Sequence, residues 1–206
     1  MNEEKDTYKT LSTRSKEVLF KDRGSKFYGY AYPIYSENEA KDLIDLLKKE
    51  HYNARHWCYA WQLGKNYSSF RANDDGEPSN TAGMPIYGQL KSFALTNILV
   101  VVVRYFGGTK LGISGLIQAY KKAAKMTLES SKIVEKTIDE FFLLKFEYPE
   151  MNTVMRIIKD EKLNITSQKL EIACEITFSV RKKEAPRIFD IFKNTYLVFI
   201  KRIEDN

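Results

Sequence analysis

The spacing of hydrophobic and polar positions changes several times along the chain, and each change marks a new element. Val18–Asp22, a turn at Arg23-Gly24 and Lys26–Pro33, with Phe27, Gly29 and Ala31 alternating against Tyr28, Tyr30 and Tyr32, predict a β-hairpin. Ser36 with Glu39 has the spacing of a capping box, and Leu43, Ile44, Leu46 and Leu47 then recur at helical intervals. A helix is therefore predicted from Glu37 to about Glu50. Arg55–Leu63 and Tyr67–Asn73 read as two strands joined through Gly64-Lys65-Asn66. Met84–Ser92 can form a short helix ahead of the unbroken apolar run Ile98–Val103, which ends in Arg104. A helix from about Ser114 to Ser130 follows, with Leu116, Ala119, Tyr120, Ala123, Ala124 and Thr127 on one face. These elements make one α/β domain.

The pattern restarts around Ile133–Thr137. Ile138–Tyr148 alternates as a strand, Met151–Glu161 has helical spacing, Leu163–Gln168 and Lys169–Val180 read as strands, Glu184–Lys193 as a helix and Tyr196–Ile203 as a final strand. That order is βαββαβ, the split βαβ arrangement of ferredoxin-like domains. The chain is thus expected to be α+β, with domains at 1–135 and 136–206 and a short linker.

Two polar, glycine-bearing segments, Asp74–Gly83 and Gly107–Gly115, flank the apolar run. A buried strand that empties into a glycine-rich turn and then a helix gathers backbone N–H groups at one sheet edge, which suits an anion. Arg104 could hold phosphate bidentately, Lys110 adds a mobile charge, and Gly107, Gly108, Gly112 and Gly115 would let a ligand approach the backbone. Arg55 and Arg71 would extend the basic surface. Alternatively the glycines serve close strand–helix packing alone. The stretch is neither a P-loop nor a dinucleotide fingerprint.

Asp74, Asp75 and Glu77, followed by Ser79 and Thr81, admit three readings: oxygen ligands for a divalent metal, a general acid–base pair, or caps that shape the cleft and brace the loop opposite. No spacing selects a ligand set, and no metal or cofactor is expected. His51 and His56 are too poorly spaced for a shared helical metal face, and His56 reads as a structural residue on a strand. Cys58 and Cys174 lie far apart and read as reduced thiols. No nucleophile motif appears, and Ser79 and Ser114 are poor candidates for covalent catalysis.

Composition adds bounds. No segment approaches the roughly 20 apolar residues of a membrane-spanning helix, and MNEEKDTYKT lacks the apolar core of a secretory signal. A cytoplasmic protein is expected. Of 33 basic and 27 acidic residues, 20 and 15 precede residue 136, so the net charge of +6 sits mainly in the half with the glycine loops. Such a surplus permits nucleic-acid binding without demanding it. Aromatic residues in and beside the strands, among them Tyr28, Tyr59, Trp61, Phe70 and Phe106, could stack bases on one face or fill the core.

DDGEPSNTAGMPI, VVVVRYFGGTKLG and the following GL-x-x-AY closely resemble the Impact/YigZ family. The resemblance implies an N-terminal Impact domain similar to the left-handed βαβ fold of a small-subunit ribosomal protein, elongation factor G and small-molecule (GHMP) kinases. It implies a ferredoxin-like C-terminal domain similar to the last domain of elongation factor G. Asn80 and Ser114 stand where the family pattern has glycine. Asn80 tolerates positive φ, and Ser114 could cap the helix that follows. Eukaryotic relatives regulate translation through an additional N-terminal domain absent from this chain. For bacterial relatives the resemblance suggests nucleic-acid or ribosome association. The expected function is a non-catalytic RNA- or ribosome-binding protein linked to regulation of translation. The alternatives are a metal-assisted enzyme acting on a phosphorylated small molecule or peptide, and a protein-interaction module.

Overall fold

The structure, a computed structural model, describes residues 6–204. Residues 1–5, which open the segment read against a secretory signal, lie outside the described residues. The chain forms two compact units, Tyr8–Lys136 and residues 137–204 with residues 6 and 7.

The first unit runs β1 (Thr7–Leu11), β2 (Val18–Asp22), β3 (Ser25–Pro33), α1 (Glu37–Glu50), β4 (His56–Leu63), β5 (Ser69–Asn73), α2 (Gly83–Ser92), β6 (Ile98–Tyr105), α3 (Gly112–Glu129) and β7 (Ile133–Thr137). Its main sheet has the order β2-β3-β6-β4-β5, every neighbouring pair antiparallel. β3 and β4, each antiparallel to β6 between them, are therefore parallel to one another and joined through α1. The unbroken apolar run is central because both faces of β6 are covered. Ile98, Val100 and Val102 pack with α2 and α3, and Leu99, Val101 and Val103 pack with α1. The β2–β3 turn has φ of 44° at Arg23 and 80° at Gly24, the left-handed pair of a two-residue hairpin loop. Ser36 Oγ accepts the Glu39 N–H at 3.2 Å, while Glu39 reaches back to the Tyr35 N–H at 3.0 Å, so α1 begins as its sequence implies.

The structure adds one strand pairing that the sequence does not announce, and one local expectation fails. β1 and β7, too short and polar to stand out, pair as a two-stranded sheet where the chain enters and leaves this unit. α3 starts at Gly112, so Ser114 lies inside its first turn and is not its N-cap; no side chain caps that helix.

The second unit runs β8 (Asp139–Glu147), a 3-10 turn (Tyr148–Glu150), α4 (Met151–Asp160), β9 (Asn164–Lys169), β10 (Ala173–Arg181), α5 (Ala185–Lys193) and β11 (Phe199–Ile203). Its sheet order is β11-β8-β10-β9, all antiparallel. Phe142, Leu144 and Phe146 of β8, with Ile176 and Phe178 of β10, bury one sheet face against Val154 and Ile158 of α4 and Ile188 and Phe192 of α5. The alternation of these strands is that of a sheet covered on one side.

Candidate functional site

Arg104 continues the β6 row that packs beneath α2 and α3, and its register neighbours are Phe27 on β3 and His56 on β4. It is 5% exposed, with its guanidinium 5.5 Å from the Phe27 ring centroid and 5.7 Å from that of Phe106. Nη1 donates to Glu77 Oε1 at 2.5 Å and Nη2 to Ser25 Oγ at 3.4 Å. Nε is buried without a partner. The expectation of an open arginine gripping an external anion is therefore corrected. A buried guanidinium needs a counter-charge, and Glu77, its side chain 4% exposed, supplies it from within the chain.

Glu77 Oε1 also accepts the Tyr120 hydroxyl at 2.8 Å, and the Cys58 thiol donates to Tyr120 Oη at 3.3 Å. Burial raises the Tyr120 hydroxyl pKa far above its ordinary value, and the adjacent Cys58 and Glu77 raise it further. Burial likewise pushes the Cys58 thiol up, with Tyr120 opposing the shift and Glu77, Asp75 and Asp74 adding to it. This thiol is a buried hydrogen-bond donor, with none of the features that make a cysteine nucleophilic. In the sequence Tyr120 is only one position on the apolar face of α3. The available signal was that a buried tyrosine hydroxyl needs a partner.

The three carboxylates diverge. Asp74 Oδ1 accepts the Ala82 and Gly83 N–H groups at 2.9 and 2.8 Å, and its Oδ2 accepts the Asn80 N–H at 2.8 Å. It thus caps the start of α2. Asp75 Oδ2 accepts the Trp57 N–H at 2.7 Å. Glu77 braces Arg104. Thr81, buried, donates to the Pro78 carbonyl at 2.6 Å, whereas Ser79 is exposed and accepts from the Asn80 side chain at 3.3 Å. Asn80 has φ of 61°, the left-handed backbone that its sequence position implies. Of the three readings, capping and bracing is the one these contacts carry.

The glycines of the second loop separate into two kinds. A Cβ on Gly107 would lie 1.9 Å from the Gly24 carbonyl carbon, so this residue serves close packing. A Cβ on Gly115 would meet the Leu111 side chain at 3.0 Å. Gly108 and Gly112, with φ of 88° and 72°, have open space where a Cβ would be. At Gly112 a cavity of about 350 Å³ opens, walled by Arg104, Phe106, Lys110, Gly112, Ile113 and Glu77 among others. Lys110 is exposed, and the first turn of α3 contains no acidic residue.

Arg55 and Arg71 do not join this cavity. Arg71 is paired in register with Trp61, whose ring packs on the α1 side, and it lines a separate cleft of about 360 Å³ with Lys41, Lys48 and Asp75. The sheet separates it from Arg104. Arg55 is exposed just before β4, its N–H 3.5 Å from the Arg104 carbonyl. His56 Nδ1 contacts the Asp75 carbonyl at 2.9 Å, a structural contact. His51 sits between the Tyr30 and Tyr105 hydroxyls, at 2.6 and 3.0 Å. Phe70, expected as one of the stacking aromatics, lies 4.2 Å from Tyr87, parallel to it.

The Impact N-terminal domain family model matches residues 23–128, the segment holding the whole Arg104–Glu77–Tyr120 network. The chain belongs to the Impact family. It is 34% identical over 160 residues to the family member YvyE of Bacillus subtilis, covering 78% of this chain and 74% of that protein. It is 36% identical over 121 residues to the family member YigZ of Escherichia coli, covering 58% and 59% of the two chains. A crystal structure of a hypothetical protein superposes with a TM-score of 0.74 at 24% identity, over 98% of this chain and 100% of the other, so the fold is shared along its length. Among the described residues no helix is long and apolar enough to cross a membrane.

Proposed function

We propose that this Impact-family chain is a non-catalytic RNA- or ribosome-binding protein with a cytoplasmic, translation-linked role, and that its anion contact is the start of α3 rather than Arg104. One observation carries the reading. The cavity lined by Lys110, Gly112 and Ile113 lies at a helix start that no side chain caps, and Lys110 is exposed. Because Arg104 and Glu77 neutralise each other, Lys110 and the first N–H groups of α3 set the sign of the potential there. Arg104 then acts as the brace that fixes the loop, and Arg55, exposed near the end of β6, extends the positive surface. Support for the translation-linked part is membership of the Impact family, to whose eukaryotic relatives the resemblance attributes regulation of translation.

Two parallel strands joined through α1, with β6 between them, make a βαβ unit in the Impact domain, and its left-handed type rests on the family resemblance alone. The βαββαβ order with sheet order β11-β8-β10-β9 supports a ferredoxin-like second domain, similar to the last domain of elongation factor G.

The test is filter binding of RNA across salt concentrations. Each phosphate contact on single strands contributes a slope of about 0.7 in log K against log salt. Lys110→Glu should weaken binding and flatten that slope, while the paired replacement Glu77→Leu with Arg104→Met should leave both nearly unchanged. Equal affinity and slope for wild type and Lys110→Glu would remove the proposal.

A further inference from the structure

Six large apolar side chains of the second unit stand in solvent: Tyr148, Leu170, Ile172, Tyr196, Leu197 and Phe199, with Ile172 90% and Tyr196 80% exposed. Strand register places all six at one end of the sheet. β8 ends where β10 begins, Glu147 opposite Ala173; β9 ends beside the same segment, Lys169 opposite Glu175; and β11 starts there, Phe199 opposite Lys145. The Tyr148 N–H bonds the Ile172 carbonyl at 3.3 Å, tying the two turns together. A cavity of about 350 Å³ opens at this end, with Phe146, Ala173, Cys174 and Leu197 in its wall.

The turn before β11 is held in an unfavourable backbone state. Leu197 has φ of 57° although it is neither glycine nor asparagine, and the Val198 N–H closes the turn on the Thr195 carbonyl at 3.3 Å. Such a conformation is kept only where surrounding structure or function demands it. Isolated exposed apolar residues need no explanation, but a contiguous group of this size marks a contact surface.

We propose that this sheet end is a self-association surface through which two copies of the chain join. Charge selects a second copy as the occupant. A symmetric contact sets each patch against itself, so any local surplus of one sign opposes it. The chain carries a net +6, which resists self-approach over most of its surface. Here the charges nearly cancel: Lys145 pairs with Glu175 at 2.5 Å and Lys169 with Glu171 at 3.5 Å, and Glu147 leaves one negative charge, so the positive surplus that opposes self-approach elsewhere is absent from this patch. Six side chains with this exposure offer an area of the same order as the ~800 Å² per partner that a standard interface buries. Tyr148, Tyr196 and Phe199 are the residue types that anchor such contacts.

The test is sedimentation equilibrium of the full chain over two decades of concentration in the micromolar range. The expected result is a reversible dimer that added sodium chloride does not weaken, since the contact is apolar. Ile172→Asp and Tyr196→Asp should each raise the dissociation constant at least about tenfold. Their circular dichroism should match wild type, because both side chains lie in solvent. A wild-type chain that stays monomeric throughout overturns the proposal, including the case in which the patch binds only a different protein. So does a dimer that both variants leave intact, or one that salt dissociates.

Discussion

Removing Glu77 tests whether the Arg104 pair is structural. The two side chains are 7% and 4% exposed and meet at 2.5 Å, so Glu77→Ala strands a guanidinium whose Nε already has no partner and leaves the Tyr120 hydroxyl without its acceptor. Removing one member of a buried pair costs about 3–5 kcal/mol, whereas replacing both with apolar groups of similar volume is close to neutral. Because a whole domain is stable by only about 5–15 kcal/mol, the single change should come near to unfolding this unit. Glu77→Leu with Arg104→Met should recover most of the loss, a strongly non-additive cycle. Urea denaturation followed by tryptophan fluorescence reads it cleanly, since both tryptophans, Trp57 and Trp61, belong to the first unit. A loss below about 1 kcal/mol for Glu77→Ala, or additive single and double variants, would refute the reasoning and return Arg104 to the role of an open ligand group.

Asp74→Ala should cost about 2 kcal/mol by the same assay, the upper end for a helix cap, because one carboxylate accepts three backbone N–H groups. Asp74→Asn should cost less. Gly107→Ala should be more damaging than Gly108→Ala: the first drives a Cβ into the Gly24 backbone, whereas the second meets only a positive φ, worth about 1 kcal/mol. Stability should also fall in alkali. The Cys58 thiol and Tyr120 hydroxyl are both raised by burial from ordinary values of 9.0 and 10.0, so the folded state keeps protons that the unfolded state releases above that range. The contribution is complete below pH 9.0 and declines as pH rises beyond it, and Tyr120→Phe should make the decline shallower. An identical alkaline slope in that variant would contradict the burial of this hydroxyl.

Most of the fold was legible because its elements carry strong periodicity. The hairpin at Arg23-Gly24, the Ser36 cap and the apolar run of β6 each state their structure in a few residues. β1 and β7 were not, because Thr7–Leu11 and Ile133–Thr137 have neither length nor clear alternation and depend on each other across the unit. In the site, glycine and carboxylate positions were visible, but which charges neutralise which was not. Arg104 and Glu77 are separated by 27 residues, and only the β6 register and the turn at Asp75 and Gly76 bring them together. Arg71 was grouped with Arg104 by charge alone, although strand parity sends their side chains to opposite faces of the sheet.

On the proposed function, the start of α3 with Lys110 receives an acidic group. Amide NMR of the full chain during titration with a short RNA oligonucleotide tests it most directly. Saturable shifts are expected at the Gly108, Gly112, Ile113 and Ser114 amides, lost in Lys110→Glu. Binding that leaves these amides unmoved while shifting others, or no binding at low salt, would contradict it.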